Sequence, residues 1–291
     1  MPTIYKGYSP EELDAQYNHR AAVPEHPEIF DAWARDSARA RARLAHDRDL
    51  VYGPLDRQRI DYFPADRPGA PVLAFIHGGY WQALNKDSFS YLAPAFVEAG
   101  IAFAAIGYTL CPRVSLPALI DEVRSALVWL HNHVRPMGGN PDRIFVAGHS
   151  AGGHLTAMMA ATDWTAWSGP TDLVKGGCSI SGVYDLEPVR MTYLNEALDL
   201  DPQTARRISP INMLPARAPR LICAVGEEET SEFLRQQDDF VVAWRRHGLE
   251  ADVVPLPGRH HFDAVNALGE PDHELFEAVR DMALGNTPGT L

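Results

Sequence analysis

Short apolar runs alternate with helix-patterned segments along this chain from about residue 58 onward. Several of the runs, among them VLAFI, IAFAAI and LICAV, are apolar without interruption. Strands buried on both faces have this composition, and a parallel sheet covered by helices contains such strands. The alternation therefore predicts one doubly wound α/β domain with a mostly parallel sheet and right-handed connections.

Seven strands and three long helices follow from this pattern. The strands are expected at Arg59 to Phe63, Pro71 to Ile76, Ile101 to Ile106, Arg143 to Ala147, Cys178 to Ser181, Leu221 to Val225 and Asp252 to Leu256. The helices are expected at Ala118 to Val134, Glu232 to His247 and His273 to Ala283. Gly248 is the expected stop of the second helix, and the third ends before Gly285.

Two segments fall outside this rhythm. Residues 9–49 have a helical pattern and include the charged stretch ARDSARARARLAHDRD, as a solvated helix lying on the domain would. Residues 185–215 resemble short helices between two strands, and an insertion above the carboxyl ends of strands tends to cover the ligand crevice. We therefore divide the chain into a helical extension over residues 1–50, packed on the domain, and a main domain over residues 51–291 that carries a cap-like insertion.

The most informative chemical motif is G-x-S-x-G, present as Gly148-His149-Ser150-Ala151-Gly152. The run RIFVA precedes it and the helix-forming run HLTAMMAA follows it, which is the strand–turn–helix context of a nucleophile elbow. The turn strains the backbone of the serine, and its small neighbours avoid clashes with the adjoining strand and helix. The following helix directs its free N–H groups toward a developing oxyanion. Ser150 is therefore the candidate nucleophile.

A second glycine-rich segment, HGGYW, follows the strand PVLAFI at the place where an oxyanion loop is expected. Backbone N–H groups must approach a substrate carbonyl closely in such a loop, and glycine permits this approach. His77 is expected to hold the loop by hydrogen bonds, and Trp81 is either a core residue or a pocket wall. The expected oxyanion donors are the N–H groups of Gly78, Gly79, Tyr80 and Ala151.

A serine nucleophile needs a base to accept its proton, and that base needs a carboxylate to orient it. In this arrangement the chain order is nucleophile, acid and then base. The segment LPGRHHFDAV follows the last predicted strand, so the late histidines His260, His261 and His273 are candidates. His261 is preferred because a phenylalanine and a helix-like run follow it, and His260 is its competitor.

The orienting acid is expected a few residues after the strand LICAVG. Glu227, Glu228 and Glu229 are adjacent there, and chemistry alone does not choose among them. One of the three is expected to face His261, and the other two are expected to be solvated loop charges.

These motifs together resemble the kynurenine formamidase (arylformamidase) branch of the α/β hydrolases. The resemblance extends over most of the chain. Its specific pieces are HGGYWQ at 77–82, GHSAGGH at 148–154, SGVYDLEP at 181–188, GEEETSEFLRQQ at 226–237 and HF at 261–262. The resemblance implies an α/β-hydrolase fold and assigns the acid to Glu229, where members of the family often have aspartate, with Glu228 as second choice.

The resemblance also implies an activity, the hydrolysis of N-formyl-L-kynurenine to formate and L-kynurenine in tryptophan breakdown. Ser150, Glu229 and His261 would form the catalytic triad and pass through a formyl-serine intermediate. Tyr80 and Trp81 are candidates for an apolar wall against the aromatic amine. The alternatives are a carboxylesterase for small or aryl esters, which uses the same triad, and a binding protein with an inactive hydrolase fold.

Composition excludes several other classes. The formal net charge of −12 and the sequence pI of about 5.4 argue against binding to nucleic acid or to an anionic membrane. The N-terminus lacks a signal-peptide pattern, no run spans a bilayer, and cytoplasmic location is the default expectation. Three cysteines give no disulfide framework, and the twelve histidines do not group as metal ligands, so neither metal nor cofactor is expected. The expected partner is a small-molecule substrate, and a homodimer is compatible with the sequence.

Overall fold

Eight strands form one sheet in the computed structural model, which describes residues 3–286. In chain order the strands are β1 (Asp47–Val51), β2 (Arg59–Phe63), β3 (Ala70–Ile76), β4 (Ala102–Ile106), β5 (Gly139–His149), β6 (Val174–Ile180), β7 (Arg220–Gly226) and β8 (Ala251–Leu256). Their spatial order is β1-β2-β4-β3-β5-β6-β7-β8. The pairs β1–β2 and β2–β4 are antiparallel and the remaining pairs are parallel, so the sheet is mostly parallel as predicted.

Eleven α-helices accompany the sheet in the same described residues. They are α1 (Pro10–Tyr17), α2 (His19–Ala22), α3 (His26–Arg43), α4 (Ala93–Glu98), α5 (Leu116–His133), α6 (Ala151–Ala160), α7 (Leu186–Arg190), α8 (Asn195–Leu198), α9 (Pro202–Arg207), α10 (Ser231–Arg246) and α11 (Glu274–Leu284). No helix within residues 3–286 has the length and apolar composition needed to cross a membrane.

The two faces of the sheet are covered by different helices. Val72 and Ile76 of β3 pack in the core cluster that includes residues of α5 and α6. Leu73 and Phe75 point to the opposite face and pack in the cluster that includes residues of α4 and α11. Successive side chains of a strand alternate between faces, so a strand buried on both sides is apolar throughout. This explains why the central strands could be predicted from uninterrupted apolar runs.

The sequence pattern does not predict β1, and the reason is physical. Its sequence, DRDLV, is charged and largely exposed, because the strand lies at the edge of the sheet with a neighbour on one side only. Edge strands commonly have charged residues, which discourage pairing with another chain. The helical pattern expected over residues 9–49 is therefore wrong after Arg43, and the proposed boundary between residues 50 and 51 falls inside β1.

The N-terminal helices pack against the carboxyl-terminal half of the chain. The hydroxyl of Tyr17 at the end of α1 donates to Glu232 Oε2 in α10 at 3.2 Å. Trp33 Nε1 in α3 donates to Asn266 Oδ1 at 3.2 Å. The segment 185–215 contains α7, α8 and α9, the short helices expected there. Both segments contribute residues to the cavity beside Ser150.

Candidate active site

Ser150 stands in a sharp turn between β5 and α6. Its φ of 58° and ψ of −118° put a non-glycine residue in the left-handed half of backbone space, which is a strained conformation. The backbone N–H of Ser150 donates to Ile180 O at 2.8 Å, and this bond ties the turn to β6. The structure thus has the strand–turn–helix geometry that the motif predicts.

Two glycines make this turn sterically possible. A Cβ atom on Gly148 would lie 2.2 Å from the carbonyl oxygen of Gly152, and one on Gly152 would lie 1.9 Å from the carbonyl oxygen of Ile76. Real Cβ atoms do not approach backbone oxygens so closely, so any side chain at either position would displace the turn from the sheet. The spacing of the glycines in the motif is therefore a packing requirement of the turn.

A chain of hydrogen bonds connects the three residues expected to act together. His261 Nε2 lies 3.0 Å from Ser150 Oγ, and His261 Nδ1 lies 2.6 Å from Glu229 Oε2. The Nδ1–H group donates to the carboxylate, which leaves Nε2 free to accept the serine proton. This is the geometry that general-base activation of a serine requires.

The structure distinguishes among the three adjacent glutamates. Glu229 is buried, and its Oε1 accepts hydrogen bonds from the hydroxyl of Ser181 and from the N–H of Gly226, the latter at 3.0 Å. Glu227 and Glu228 are exposed. Of the three glutamates that follow β7, Glu229 is the one whose carboxylate contacts His261.

The competing histidines have other roles. His260 Nδ1 accepts hydrogen bonds from the backbone N–H groups of Phe262 and Asp263, both at 3.2 Å. His273 Nδ1 accepts from Leu275 N at 3.0 Å and caps α11. His261 is therefore the late histidine that contacts Ser150.

Burial sets the ionisation of the pair His261 and Glu229. Removal from water disfavours a charged group, so burial lowers the pKa of the His261 imidazole to about 3. Burial raises the pKa of the Glu229 carboxyl, and the hydrogen bonds from Ser181 and Gly226 oppose that rise. The imidazole is therefore neutral at pH 7 and can accept a proton.

The N–H groups expected to bind an oxyanion lie close to Ser150. A Cβ on Gly78 would be 3.1 Å from Ser150 Cβ, which shows how closely the two backbones approach. Within residues 3–286, the N–H groups of Gly78, Gly79 and Tyr80 donate no hydrogen bond to another residue. Ala151 is the first residue of α6, and N–H groups of a first helical turn have no partner within the helix.

A cavity of about 410 Å³ opens beside Ser150 and His261. Its apolar wall combines aromatic rings of the N-terminal helices with residues of the main domain; these are Phe30, Trp33, Tyr80, Leu84, Leu194 and Phe262. Asn18, Arg20, Gln82 and Tyr193 add polar groups. The cavity can therefore hold a flat, largely apolar molecule with a polar end.

Comparisons with known proteins give the family. Residues 61–166 match the BD-FAE family, and residues 118–238 match the Carboxylesterase family. Kynurenine formamidase of Danio rerio is 30% identical over 96% of this chain and 98% of that protein. The chain belongs to the kynurenine formamidase branch of the α/β-hydrolase superfamily. Kynurenine formamidase of Salmo salar is 28% identical with the same coverage of both chains.

A solved structure of similar sequence supports the same grouping. The crystal structure of a Silicibacter sp. protein, described provisionally as a thioesterase, is 30% identical, covers 91% of this chain and 98% of that chain, and has a TM-score of 0.82. The predicted family and the predicted α/β-hydrolase fold are confirmed, and the protein is a hydrolase.

One residue predicted for the site lies elsewhere. The expectation that Trp81 lines the pocket is wrong, because its side chain is fully buried and is not among the residues that line the cavity. Trp81 Nε1 donates to His154 Nδ1 at 3.2 Å, and His154 Nε2 donates in turn to Ile208 O at 2.9 Å. Trp81 thus connects the oxyanion loop to the cap, while the neighbouring Tyr80 lines the cavity as expected.

The loop histidine behaves as expected. His77 Nδ1 donates to Gly78 O at 2.8 Å, and the hydroxyl of Tyr108 donates to His77 O at 2.7 Å. The rings of His77 and Tyr108 stack at a centroid distance of 4.1 Å. His77 therefore holds the loop and does not reach Ser150.

The sequence motifs assign no role to three residues of the site. His19 stacks on His261, Ser181 donates to Glu229, and His149 Nε2 donates to the carbonyl oxygen of His261 at 2.7 Å. Ser181 opens the SGVYDLEP segment and His149 is the variable residue of G-x-S-x-G, so both had a motif signal. His19 had none, because its contact arises from the packing of α2 over the site.

One cluster of potential metal ligands coincides with the site. Donor atoms of His19, Glu229 and His261 lie within 4.8 Å of one another. The imidazoles of His19 and His261 are nearly parallel, at an interplanar angle of 6°, so their in-plane lone pairs do not converge on one point. Glu229 and His261 already form the hydrogen bonds of the triad, and His19 stacks on His261, so the three residues do not fit a metal centre.

A second cluster of potential metal ligands lies away from the site and surrounds a lysine side chain. Asp49, Asp61 and Asp87 surround Lys86, whose Nζ is 2.7 to 2.8 Å from a carboxylate oxygen of each. The ammonium group occupies the position that a metal ion would need.

Proposed function

We propose that this hydrolase cleaves N-formyl-L-kynurenine to formate and L-kynurenine through a formyl-serine intermediate. One observation carries the proposal: the hydrogen-bonded chain Ser150–His261–Glu229 opens into a cavity with aromatic walls. The near full-length similarity to kynurenine formamidases supports the choice of substrate.

In the first stage Ser150 Oγ attacks the formyl carbon while His261 Nε2 accepts the hydroxyl proton. Glu229 stabilises the imidazolium that forms. The oxyanion of the tetrahedral intermediate is bound by N–H groups of Gly79, Tyr80 and Ala151, with Gly78 adjacent. Each such donor contributes on the order of 3 kcal/mol to transition-state stabilisation.

Collapse of this intermediate breaks the C–N bond. His261 returns its proton to the departing aryl nitrogen, which leaves as the free amine of kynurenine. Water then attacks the formyl-serine ester while His261 accepts one of its protons. The second intermediate releases formate, and the proton passes back to Ser150 Oγ.

The cavity suits an aryl formamide. A formyl group is the smallest acyl group, so it needs little room between Ser150 and the oxyanion loop. The aromatic amine needs an apolar wall, and Phe30, Trp33 and Phe262 provide one.

A carboxylesterase is the second candidate function. The match of residues 118–238 to the Carboxylesterase family favours it, and esters would be cleaved by the same three residues. Triad variants do not separate the two functions, whereas a comparison of acyl and leaving groups does.

The test measures formate release from N-formyl-L-kynurenine beside hydrolysis of p-nitrophenyl acetate. We expect a kcat/KM for the formamide above about 10⁴ M⁻¹s⁻¹, within the usual enzyme range. Ser150→Ala should abolish both activities. Ser125→Ala, at an exposed serine of α5, is the matched control. Cleavage of the ester alone would replace the formamidase proposal with an esterase.

A further inference from the structure

The cavity beside Ser150 has an unusual charge balance for so acidic a protein. The chain contains 38 aspartates and glutamates against 26 lysines and arginines. Yet no carboxylate among residues 3–286 lines this cavity, and Arg20 is the one lysine or arginine there. Burial lowers the pKa of the lining histidines His19, His149 and His261, so they add no positive charge at pH 7. Arg20 is therefore the single positively charged side chain among the residues that line the cavity.

The guanidinium of Arg20 has no carboxylate partner among the described residues. Its Cζ lies 6.0 Å from the centroid of the Phe30 ring, which belongs to the aromatic wall. An arginine offers a planar fork of N–H donors that matches a carboxylate in two parallel hydrogen bonds. Those donors remain available here.

Two polar neighbours of Arg20 each use part of their hydrogen-bonding capacity within the protein. Asn18 Oδ1 accepts from Ala21 N at 3.2 Å and caps α2. Gln82 Nε2 donates to Leu194 O at 3.1 Å. Arg20 is thus the polar group of the cavity with most unused hydrogen-bonding capacity.

The backbone at Arg20 is fixed relative to the candidate nucleophile. The preceding residue, His19, is buried and stacks on His261 at a centroid distance of 3.6 Å. His261 in turn contacts Ser150. A residue adjacent to such an anchor keeps a constant position with respect to the reacting atoms, although its own side chain is exposed.

We propose that Arg20 binds the carboxylate at the end of the substrate remote from the scissile bond, and so selects substrates with an amino-acid carboxylate over those without one. This inference rests on the proposed function, because N-formyl-L-kynurenine carries its carboxylate at the far end of the aryl amine. The formyl carbon reaches Ser150, the ring lies along the aromatic wall, and the carboxylate meets the Arg20 fork.

The experiment compares two formamides that differ in this end alone. One is N-formyl-L-kynurenine and the other is N-(2-acetylphenyl)formamide, which keeps the aryl formamide and the ketone but lacks the amino-acid group. We expect Arg20→Ala to lower the ratio of kcat/KM between the two substrates about 10- to 100-fold, the range for a lost charge-assisted pair. Most of the change should appear in KM for N-formyl-L-kynurenine. Arg20→Lys, which keeps the charge without the fork, should give an intermediate ratio.

Arg217→Ala is the matched control, because it removes one exposed arginine that does not line the cavity. It should leave the ratio at the wild-type value. A second measurement uses the products as competitive inhibitors. Arg20→Ala should weaken inhibition by L-kynurenine and leave inhibition by 2′-aminoacetophenone unchanged.

The outcomes separate this inference from the proposed function. If wild type cleaves neither formamide, the proposed function fails and the assignment of Arg20 fails with it. If wild type cleaves both and Arg20→Ala leaves the ratio unchanged, or lowers both rates equally, the proposed function stands and the carboxylate role of Arg20 is wrong.

Discussion

The imidazole of His19 lies flat on the imidazole of His261, with ring centroids 3.6 Å apart and ring planes within 6°. Hydrogen bonds to Ser150 and Glu229 fix the edges of the His261 ring, and the stack fixes one of its faces. Phe233 meets His19 edge-on at 4.4 Å and holds it in place. The N-terminal helices are therefore part of the site.

We expect His19→Ala to lower kcat/KM about tenfold or more, since a tenfold loss needs only about 1.4 kcal/mol of transition-state stabilisation. Without the stack, His261 gains freedom to turn away from Ser150, and water enters. His19→Phe keeps an aromatic ring on His261 and should recover most of the activity. Steady-state kinetics on the formamide measures both.

His133→Ala provides the control, because that histidine stacks on Trp129 on the exposed side of α5. Wild-type kinetics in His19→Ala, with the fold intact by circular dichroism, would show that the stack does not position His261.

The choice of Glu229 as orienting acid gives a second prediction. Glu229→Gln keeps the size of the side chain but no longer stabilises the imidazolium, so kcat should fall roughly 10³- to 10⁴-fold, as in other serine hydrolases. Glu228→Gln changes an exposed neighbour and should alter kcat by less than about twofold. A large loss in Glu228→Gln with little in Glu229→Gln would reverse the assignment.

The sequence predicts best those site residues whose role depends on their neighbours in the chain. Ser150 was identified because the G-x-S-x-G turn is set by neighbouring residues, whose contacts are encoded in adjacent positions. Glu229 required more, since burial of one of three adjacent carboxylates depends on how the turn after β7 meets the loop of His261. Its assignment came from the family resemblance, and the fold supplies the physical reason.

Contacts between distant segments were not predictable in this way. His19 meets His261 only because α2 lies over the carboxyl ends of the strands, and no pattern near residue 19 indicates this. The residues beside Trp81 in the sequence do not indicate whether its side chain lies in the core or lines the pocket. The hydrogen bond to His154 on α6 decides it. The charged edge strand β1 likewise lacks the apolar run by which central strands are recognised.

Ser181 offers a third prediction, on pH dependence. Its hydroxyl donates to Glu229 and favours the ionised carboxylate, so it lowers a pKa that burial raises. Ser181→Ala should therefore raise the pKa of Glu229 and move the acidic limb of kcat/KM to higher pH, so that the loss of activity grows as the pH falls. A uniform loss at every pH would indicate a general structural defect instead.

Trp81 gives a fourth prediction, on stability. Trp81→Phe fills most of the same volume but leaves the buried Nδ1 of His154 without its donor. A buried acceptor without a partner costs about 1–3 kcal/mol, and urea unfolding should show a decrease of that size. Trp129→Phe, at a half-buried tryptophan outside this network, should cost less. Equal losses in the two variants would show that the hydrogen bond contributes little.

Buried neutral histidines make the free energy of unfolding depend on pH. Burial lowers the pKa of His77, His149 and His261 to about 3 and that of His154 to about 4, and it lowers the pKa of His19 as well. An unfolded histidine has its ordinary pKa of about 6.5, so below pH 6.5 the unfolded chain binds protons that the folded protein does not.

Each of the four histidines whose folded pKa is about 3 or 4 should therefore lower the free energy of unfolding by about 1.4 kcal/mol for each unit that the pH falls between about pH 6 and pH 5. Burial raises the pKa of Glu229, so this group changes the free energy of unfolding in the opposite direction as the pH falls. It is one group, whereas the buried histidines are five. Urea unfolding at pH 7, 6 and 5 would measure the slope of the free energy of unfolding against pH. His154→Gln should reduce that slope by the contribution of one proton, about 1.4 kcal/mol per pH unit. A free energy of unfolding that stays constant over this range would mean that burial does not lower the pKa of these imidazoles.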